Sequence, residues 1–235
     1  NHDKFDVIVA VGGDGTINEI ARALIQTECA LAIIPLGSGN GLARHLKIPL
    51  TPRKAILHIN ESTSSLIDTC TFNGRPFLCT AGIGFEAEVS WAFDQAPSRG
   101  LATYLKMIRR LIKNYRPLHL SLPTELNASE TFSLTFANAE QYGNNAFIAP
   151  FASLSDGVMN VCQTRPFPKF ALLPLIIKMG LRKIKSSQYY ATVERTNLTV
   201  EIPKDTLAHI DGEPIRLSSN SLTVQVIPAS LKIWS

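Results

Sequence analysis

The sequence predicts an α/β lobe followed by an all-β, sandwich-like lobe. Three observations predict it. A β-branched apolar run, Ile8-Val9-Ala10-Val11, ends in Gly12-Gly13-Asp14-Gly15 and passes into a helical pattern of Ile17, Ile20, Ala21, Leu24 and Ile25. The same plan recurs at once, with Ala30 to Pro35 running into Leu36-Gly37-Ser38-Gly39-Asn40-Gly41 and then Leu42 to Leu46. From about Ser65 the texture changes to short alternating segments between turn residues, the mark of antiparallel sheet. The expected division is residues 1–64 as the C-terminal part of an α/β lobe, 65–228 as the β lobe, and 229–235 as a tail returning to the first.

The first strand, glycine turn and helix make a phosphate cradle. Glycines let the backbone approach an anion, and the first free N–H groups of the helix point at it. Asp14 is the unusual member. A carboxylate belongs beside phosphate when a cation lies between them or a proton is to be moved. Right-handed crossover makes the two strands parallel, so both glycine loops emerge at one sheet edge, where ligands bind in open α/β sheets. Ser38 and Asn40 supply short neutral hydrogen-bonding groups, suited to a phosphate oxygen or to fixing the other loop. The chain opens Asn1-His2-Asp3 directly before the first strand. A buried parallel strand needs neighbours, so a missing front segment is expected.

A helix is expected from Arg53 to Ile59, then a hairpin around Asn73-Gly74 with Pro76 to Thr80 returning. Thr80-Ala81-Gly82-Ile83-Gly84-Phe85 reads as a third glycine-rich turn before a helix through Val89 and Phe93. Residues 101–116 read as a basic amphipathic helix. Leu101, Tyr104, Leu105, Ile108, Leu111, Ile112 and Tyr115 form one face, and Lys106, Arg109, Arg110, Lys113 and Arg116 the other. Residues 169–185 repeat the flavour. Each is either a helix packed on the core with a solvated basic side or a contact with an anionic membrane surface. Strands are expected at Leu118–Leu122, Thr131–Asn138, Asn145–Ala149, Gly157–Gln163, Tyr189–Val193, Leu198–Ile202 and Leu222–Ile227. Ser155-Asp156-Gly157 and Asp211-Gly212-Glu213-Pro214 are polar turns. Asp-Gly is an ordinary hairpin turn, but should the second face the glycine loops, Glu213 could accept a proton from a substrate hydroxyl.

Composition excludes several classes. Cys29, Cys70, Cys79 and Cys162 lie far apart with no CxxC pair, which fits a reducing cytosol rather than zinc or a disulfide frame. His2, His45, His58, His119 and His209 show no metal-ligand spacing. There is no Gly-x-Ser-x-Gly elbow and no Walker lysine, and no apolar run long enough to span a bilayer. A net charge of +4 permits anionic surfaces without demanding nucleic acid.

With these residues in hand, the chain resembles the lipid kinase superfamily of diacylglycerol kinases and sphingosine or ceramide kinases. The resemblance rests on Val11 to Glu19, Ile34 to Asn40 with Leu42-Ala43-Arg44, Ala81 to Ala87, the stretch Asn138 to Asn144 with Ala149-Pro150 and Asp156-Gly157-Val158, and His209 to Glu213, in that order. It implies a partial α/β lobe like those of NAD kinase and phosphofructokinase, a β-sandwich-like lobe after it, and ATP between them. It implies that Gly12, Gly13, Asp14, Gly15, Thr16, Ile17, Asn18, Glu19, Gly37, Ser38, Gly39 and Asn40 hold the nucleotide. It assigns Glu213, helped by Asp211, as general base on a lipid hydroxyl. Catalytic Mg²⁺ would arrive with ATP and meet Asp14 through water. A structural Mg²⁺ would bind Asp156 by side chain, with the carbonyls of Ser153 and Val158. Gly41 stands where bacterial diacylglycerol kinases carry Asp, so the lipid is open between diacylglycerol and a sphingoid type. The implied partner is a membrane lipid, met peripherally at the inner membrane face from the cytoplasm. A homodimer is compatible. An NAD kinase-like enzyme and a non-catalytic lipid-binding fragment stand as the alternatives.

Overall fold

The computed structural model describes residues 5–98, 100–126 and 129–235; residues 1–4 (the opening Asn1-His2-Asp3 among them), 99, 127 and 128 and the side chain of Leu101 lie outside the described residues. The fold is a mixed α/β lobe followed by an antiparallel β lobe. Strand β1 (Val7–Gly12) leads through Gly13 into helix α1 (Asp14–Leu24), which buries Ile17, Ala21 and Leu24. Strand β2 (Ala30–Pro35) is buried at every residue and pairs parallel with β1 from Val7↔Ala30 to Gly12↔Pro35. Both glycine loops therefore leave the sheet at one edge, as right-handed crossover requires. Short α2 (Gly41–His45) and α3 (Pro52–Glu61) follow, the latter with Pro at its first position, where a missing N–H costs nothing.

Strands β3 (Ser64–Phe72) and β4 (Arg75–Phe77) form a hairpin about Asn73 and Gly74, whose φ values of 48° and 78° suit the two-residue turn that Asn-Gly favours. The antiparallel lobe is built on β5 (Thr80–Gly84), with helices α4 (Phe85–Asp94) and α5 (Leu101–Leu111) after it. A small pair, β6 (Leu118–His119) with β7 (Glu130–Thr131), precedes β8 (Ser133–Ala137) and β9 (Met159–Thr164). Helix α6 (Leu172–Gly180) then leads to β10 (Tyr190–Arg195), β11 (Asn197–Glu201), β12 (Leu207–Ile210) and β13 (Glu213–Arg216). The last strand, β14 (Ser221–Trp234), runs back into the first sheet.

The first sheet has the order β1-β2-β14-β3-β4, with β11 on β14; the second has the order β10-β9-β8-β5-β12-β13. The first sheet thus continues past residue 64. Strand β14 pairs parallel with β2 at Ile233↔Leu31 and antiparallel with β3, with a bulge between Ile227 and Leu231. One core lies in the α/β lobe around Ile17, Leu24, Leu31 and Ile33. A second lies where the two sheets face each other: Phe72, Phe77, Leu222 and Val224 from one side meet Ile83, Leu134, Phe136 and Met159 from the other. The rings of Phe72 and Phe136 meet edge-on, 6.0 Å apart.

Several expected boundaries are corrected. Thr80–Gly84 is a strand rather than a turn. Asn145–Ala149 forms turns, with one isolated bridge between Gln141 and Phe147; its apolar residues are buried without joining a ladder. Leu207–Ile210 and Glu213–Arg216, the flanks of the Asp211-Gly212 turn, are strands. Strand β14 does not stop at Ile227. Pro228 and a left-handed Ala229 form its bulge, and pairing resumes at Leu231. Residues 169–185 form a short 3₁₀ turn, α6, and a second 3₁₀ turn rather than one helix.

Candidate active site

The two glycine loops are in contact. A Cβ on Gly37 would sit 2.8 Å from Gly13 Cα, and one on Gly39 would sit 2.6 Å from Asp14 Oδ2. Close approach, not a left-handed φ, is what demands glycine at these positions. Asn40 does take the left-handed conformation, φ 51°. Its Oδ1 accepts the Gly37 N–H at 3.0 Å, and its Nδ2 donates to the Gly37 carbonyl at 2.7 Å, so the side chain closes its own loop. Asp14 Oδ2 accepts the N–H of Asn40 at 2.8 Å and Oδ1 that of Gly41 at 2.7 Å. The carboxylate caps α2 and ties the second loop to the first. Ser38 is exposed at the tip. The first N–H groups of α1, beginning at Asp14, have no carbonyl one turn behind them within the helix and form the cradle edge. Of the residues expected to hold the nucleotide, Ile17 and Asn18 have buried side chains, so they would meet a ligand through their backbone.

The second loop is closed from its other side by Gln141 to Asn145. Gly143, φ 109°, lies against Gly39, where a Cβ would be 3.2 Å from Gly39 Cα. Arg44 Nε donates to the Gly39 carbonyl at 2.8 Å. His45 Nδ1 accepts the Glu140 N–H at 3.2 Å, and burial pushes the imidazole below its usual pKa.

Strands β12 and β13 join through Asp211 and Gly212, with φ values of 49° and 85°. The Asp211 carboxylate accepts the N–H groups of Leu78, Cys79 and Thr80 at 2.9, 2.8 and 3.0 Å. Burial pushes its carboxyl up, against the pull of those three N–H groups and of Arg22. Asp211 thus anchors the turn to the start of β5. Glu213, with 53% of its side chain exposed, places Oε2 3.5 Å from Arg22 Nη1 of α1. Its Oε1 lies 4.0 Å from the point where a Cβ on Gly15 would stand. The late acidic hairpin and the first glycine loop therefore front one space.

Beside that turn lies a buried polar group whose members are scattered along the sequence: Glu86, Thr135, Tyr142 and His209. A Cβ on Gly82 would overlap Glu86 Oε1 at 1.9 Å; glycine leaves room for the carboxylate to lie over β5. Glu86 accepts from Thr135 Oγ1 at 2.7 Å and from the Tyr142 hydroxyl. Burial and the nearby Glu86 charge hold the Tyr142 hydroxyl well above its usual pKa, so it stays a donor. His209 Nε2 lies 3.3 Å from Glu86 Oε1, and its Nδ1 accepts the Gly212 N–H at 3.4 Å. The sequence signal was a glycine four residues before an acid at a strand–helix junction.

Asp156 lies apart, on an exposed turn. Its Oδ1 accepts the Val158 N–H at 3.2 Å, while Asp68 accepts those of Gly157 and Ala229 at 2.7 and 2.8 Å. Among the described residues no three His, Cys, Asp or Glu side chains form a metal cluster. One carboxylate with the carbonyls of Ser153 and Val158 is nonetheless a hard-oxygen set of the type Mg²⁺ accepts while keeping most of its waters. All four cysteines are buried free thiols, and no helix among the described residues is long and apolar enough to cross a membrane.

The family model for the diacylglycerol kinase catalytic domain matches residues 1–72, and that for the YegS C-terminal NAD kinase beta sandwich-like domain matches residues 79–235. A probable lipid kinase YegS-like protein of Pseudomonas aeruginosa strain UCBPP-PA14 is 31% identical over 97% of this chain and 76% of its own length. The chain belongs to the YegS-like lipid kinase family. Lipid kinase YegS of Escherichia coli K12 is 27% identical over 97% of the chain and 78% of its own length. A putative diacylglycerol kinase of Bacillus anthracis superposes with a TM-score of 0.79 at 23% identity, covering 99% of this chain and 77% of its own. An NAD kinase of Archaeoglobus fulgidus in complex with ATP superposes at 0.50 and 13% identity over 99% of this chain and 79% of its own, a more distant likeness of fold. The family match favours a lipid kinase over the NAD kinase alternative.

Proposed function

We propose that the chain is an ATP-dependent kinase that phosphorylates a hydroxyl of a membrane lipid, a diacylglycerol or a sphingoid-type lipid, at the cytoplasmic face of the bilayer. The observation that supports it most is the approach of Glu213 to Gly15: a solvent-accessible carboxylate stands over the edge of a phosphate cradle. Nucleotide phosphates would lie on the backbone N–H groups of Gly13 to Thr16 and of the Gly37–Gly39 tip, with Ser38 available as a donor. The lipid hydroxyl would lose its proton to Glu213 as its oxygen attacks the γ-phosphorus. The bond to the β–γ bridging oxygen breaks and ADP leaves. Arg22, 3.5 Å from its carboxylate, would direct Glu213. Asp14 and Asn40 would hold the two loops at fixed separation, and Asp211 the turn, so the work is positioning and charge neutralisation. Mg²⁺ accompanying ATP would neutralise phosphate charge; Asp156 with the Ser153 and Val158 carbonyls would hold a second, structural ion. The acyl chains would be accepted by the apolar β lobe.

The test is transfer of label from [γ-³²P]ATP to a panel of diacylglycerol, sphingoid and ceramide acceptors, with NAD as a parallel acceptor. Labelled lipid that vanishes in Glu213→Gln supports the reading. Label only in NAD, or ATP binding by calorimetry with no acceptor labelled, overturns it.

A further inference from the structure

The basic segments 101–116 and 169–185 look alike as sequences, but the structure separates them. Helix α5 is packed: Tyr104 meets Phe93 with ring centres 5.7 Å apart, and Tyr115, just beyond the helix, meets Phe85 at 5.1 Å. Among the large apolar side chains described in α5, only Leu105 is exposed. Helix α6 is different. Its inner face is seated, with Leu175 buried beside Ile148, Ala149, Ile184 and Tyr190. Its outer face is bare: Phe170 is 82% exposed, Leu173 65%, Ile177 51% and Leu181 61%. Spacings of three, four and four put these in one stripe. Arg182, bonded to Glu140 and to the Pro150 carbonyl, pins the far end of the helix to the body of the protein. The stripe is therefore held in place.

Charge says what covers it. From Gly157 to Val193 the chain contains no Asp or Glu. Lys169, Lys183 and Lys185 are exposed around the stripe. An apolar ridge flanked by exposed lysines, in a segment that itself carries no acid and whose nearest described acid, Glu140, is already paired with Arg182, complements a surface that is apolar below and anionic at its rim.

We propose that α6 is the element that enters an anionic phospholipid bilayer. Phe170, Leu173, Ile177 and Leu181 sink to the acyl boundary, Lys169, Lys183 and Lys185 sit among the lipid phosphates, and α5 stays out. This rests on the lipid-kinase reading for the substrate's whereabouts, but its test needs no turnover. The full chain is sedimented with phosphatidylcholine vesicles with and without phosphatidylglycerol. Leu173→Glu/Ile177→Glu should weaken binding to the anionic vesicles at least about tenfold, since two charges replace buried apolar contact. Lys183→Glu/Lys185→Glu should abolish the preference for phosphatidylglycerol and flatten the salt dependence. Leu105→Glu should change neither. Circular dichroism and a melting curve establish that each variant is folded. Transfer to a water-soluble short-chain lipid should be unchanged in the α6 variants; if even the wild type lacks it, the kinase reading fails while the vesicle result stands separately. The inference is overturned if Leu173→Glu/Ile177→Glu binds like wild type or if Leu105→Glu is equally impaired. It is also overturned if light scattering shows a wild-type dimer that this α6 variant dissociates, which would make a second copy the occupant.

Discussion

Replacing Asp211 separates an anchor from a reacting group. Its two oxygens receive three backbone N–H groups, those of Leu78, Cys79 and Thr80, all from buried residues. Asp211→Ala would leave all three without a partner. An unsatisfied buried donor costs about 1–3 kcal/mol, so the loss of three should be about 3–9 kcal/mol, a large share of the ~5–15 kcal/mol that holds a typical domain together. Asp211→Asn is milder. Its amide oxygen can serve Cys79 and Thr80, as Oδ1 does, while its NH₂ group confronts the Leu78 N–H, a loss of about 1–3 kcal/mol. Urea unfolding measures both, and saturating-substrate kinetics of the Asn variant measure what reaches catalysis. An anchor predicts that the Asn variant loses stability and only modest kcat, because Glu213 remains in place. A stable Asp211→Asn protein with kcat lower by about a thousandfold, in the range of a lost general base, would refute the argument and make Asp211 a participant in the reaction. The pH dependence adds a check. Burial raises the carboxyl pKa of Asp211 in the folded state above the ordinary value of 3.8. Its stabilising contribution is therefore complete below 3.8 and is lost as pH rises through the raised folded value. The stability advantage of wild type over Asp211→Asn should shrink across that rise.

Three further outcomes follow from the same geometry. Glu213→Gln should reduce kcat by about a hundredfold to ten-thousandfold with an unchanged unfolding midpoint, since the side chain is half-exposed and pairs only loosely with Arg22; an early transition would point to a structural role instead. Gly39→Ala would drive a Cβ to 2.6 Å from Asp14 Oδ2, so ATP affinity measured by calorimetry should fall at least about tenfold, ~1.4 kcal/mol, while the melting temperature moves little. Burial lowers the pKa of His45 below its ordinary 6.5 in the folded state. Its contribution is therefore present above pH 6.5 and lost as pH falls through the lowered folded value, and His45→Gln should remove that acid-labile component from a pH–stability curve.

Much of the frame was legible because it follows from local pattern. The two β-branched runs and the helical spacing after each glycine loop announced β1-α1 and β2-α2, and Asn73-Gly74 announced the β3–β4 hairpin. What could not be read were properties that depend on a neighbour. Asn40 has the chemistry of a phosphate ligand, yet it closes on Gly37. Gly82 looked like part of a turn, whereas it sits in mid-strand to admit Glu86. Pro228 looked like a strand end and is part of a bulge within β14. The two basic helical segments differ in how much apolar surface is covered: of the large apolar side chains described in α5 only Leu105 is exposed, while Phe170, Leu173, Ile177 and Leu181 stay bare along α6 and its ends. Of the site, the facing of Glu213 and Gly15 could be stated from sequence only as a condition; it is a distance in the structure.

The position of β14 has a consequence for how the molecule is made. Its final residues lie between β2 and β3, so the sheet bearing the phosphate cradle is incomplete until Ile233 has been synthesised and released from the ribosome. Until then β2 presents an open edge, and the early glycine loops have no finished platform beneath them. The first sheet therefore matures only once β14 has been made, and a lesion near Leu231 would reach the glycine loops through the sheet rather than along the neighbouring chain.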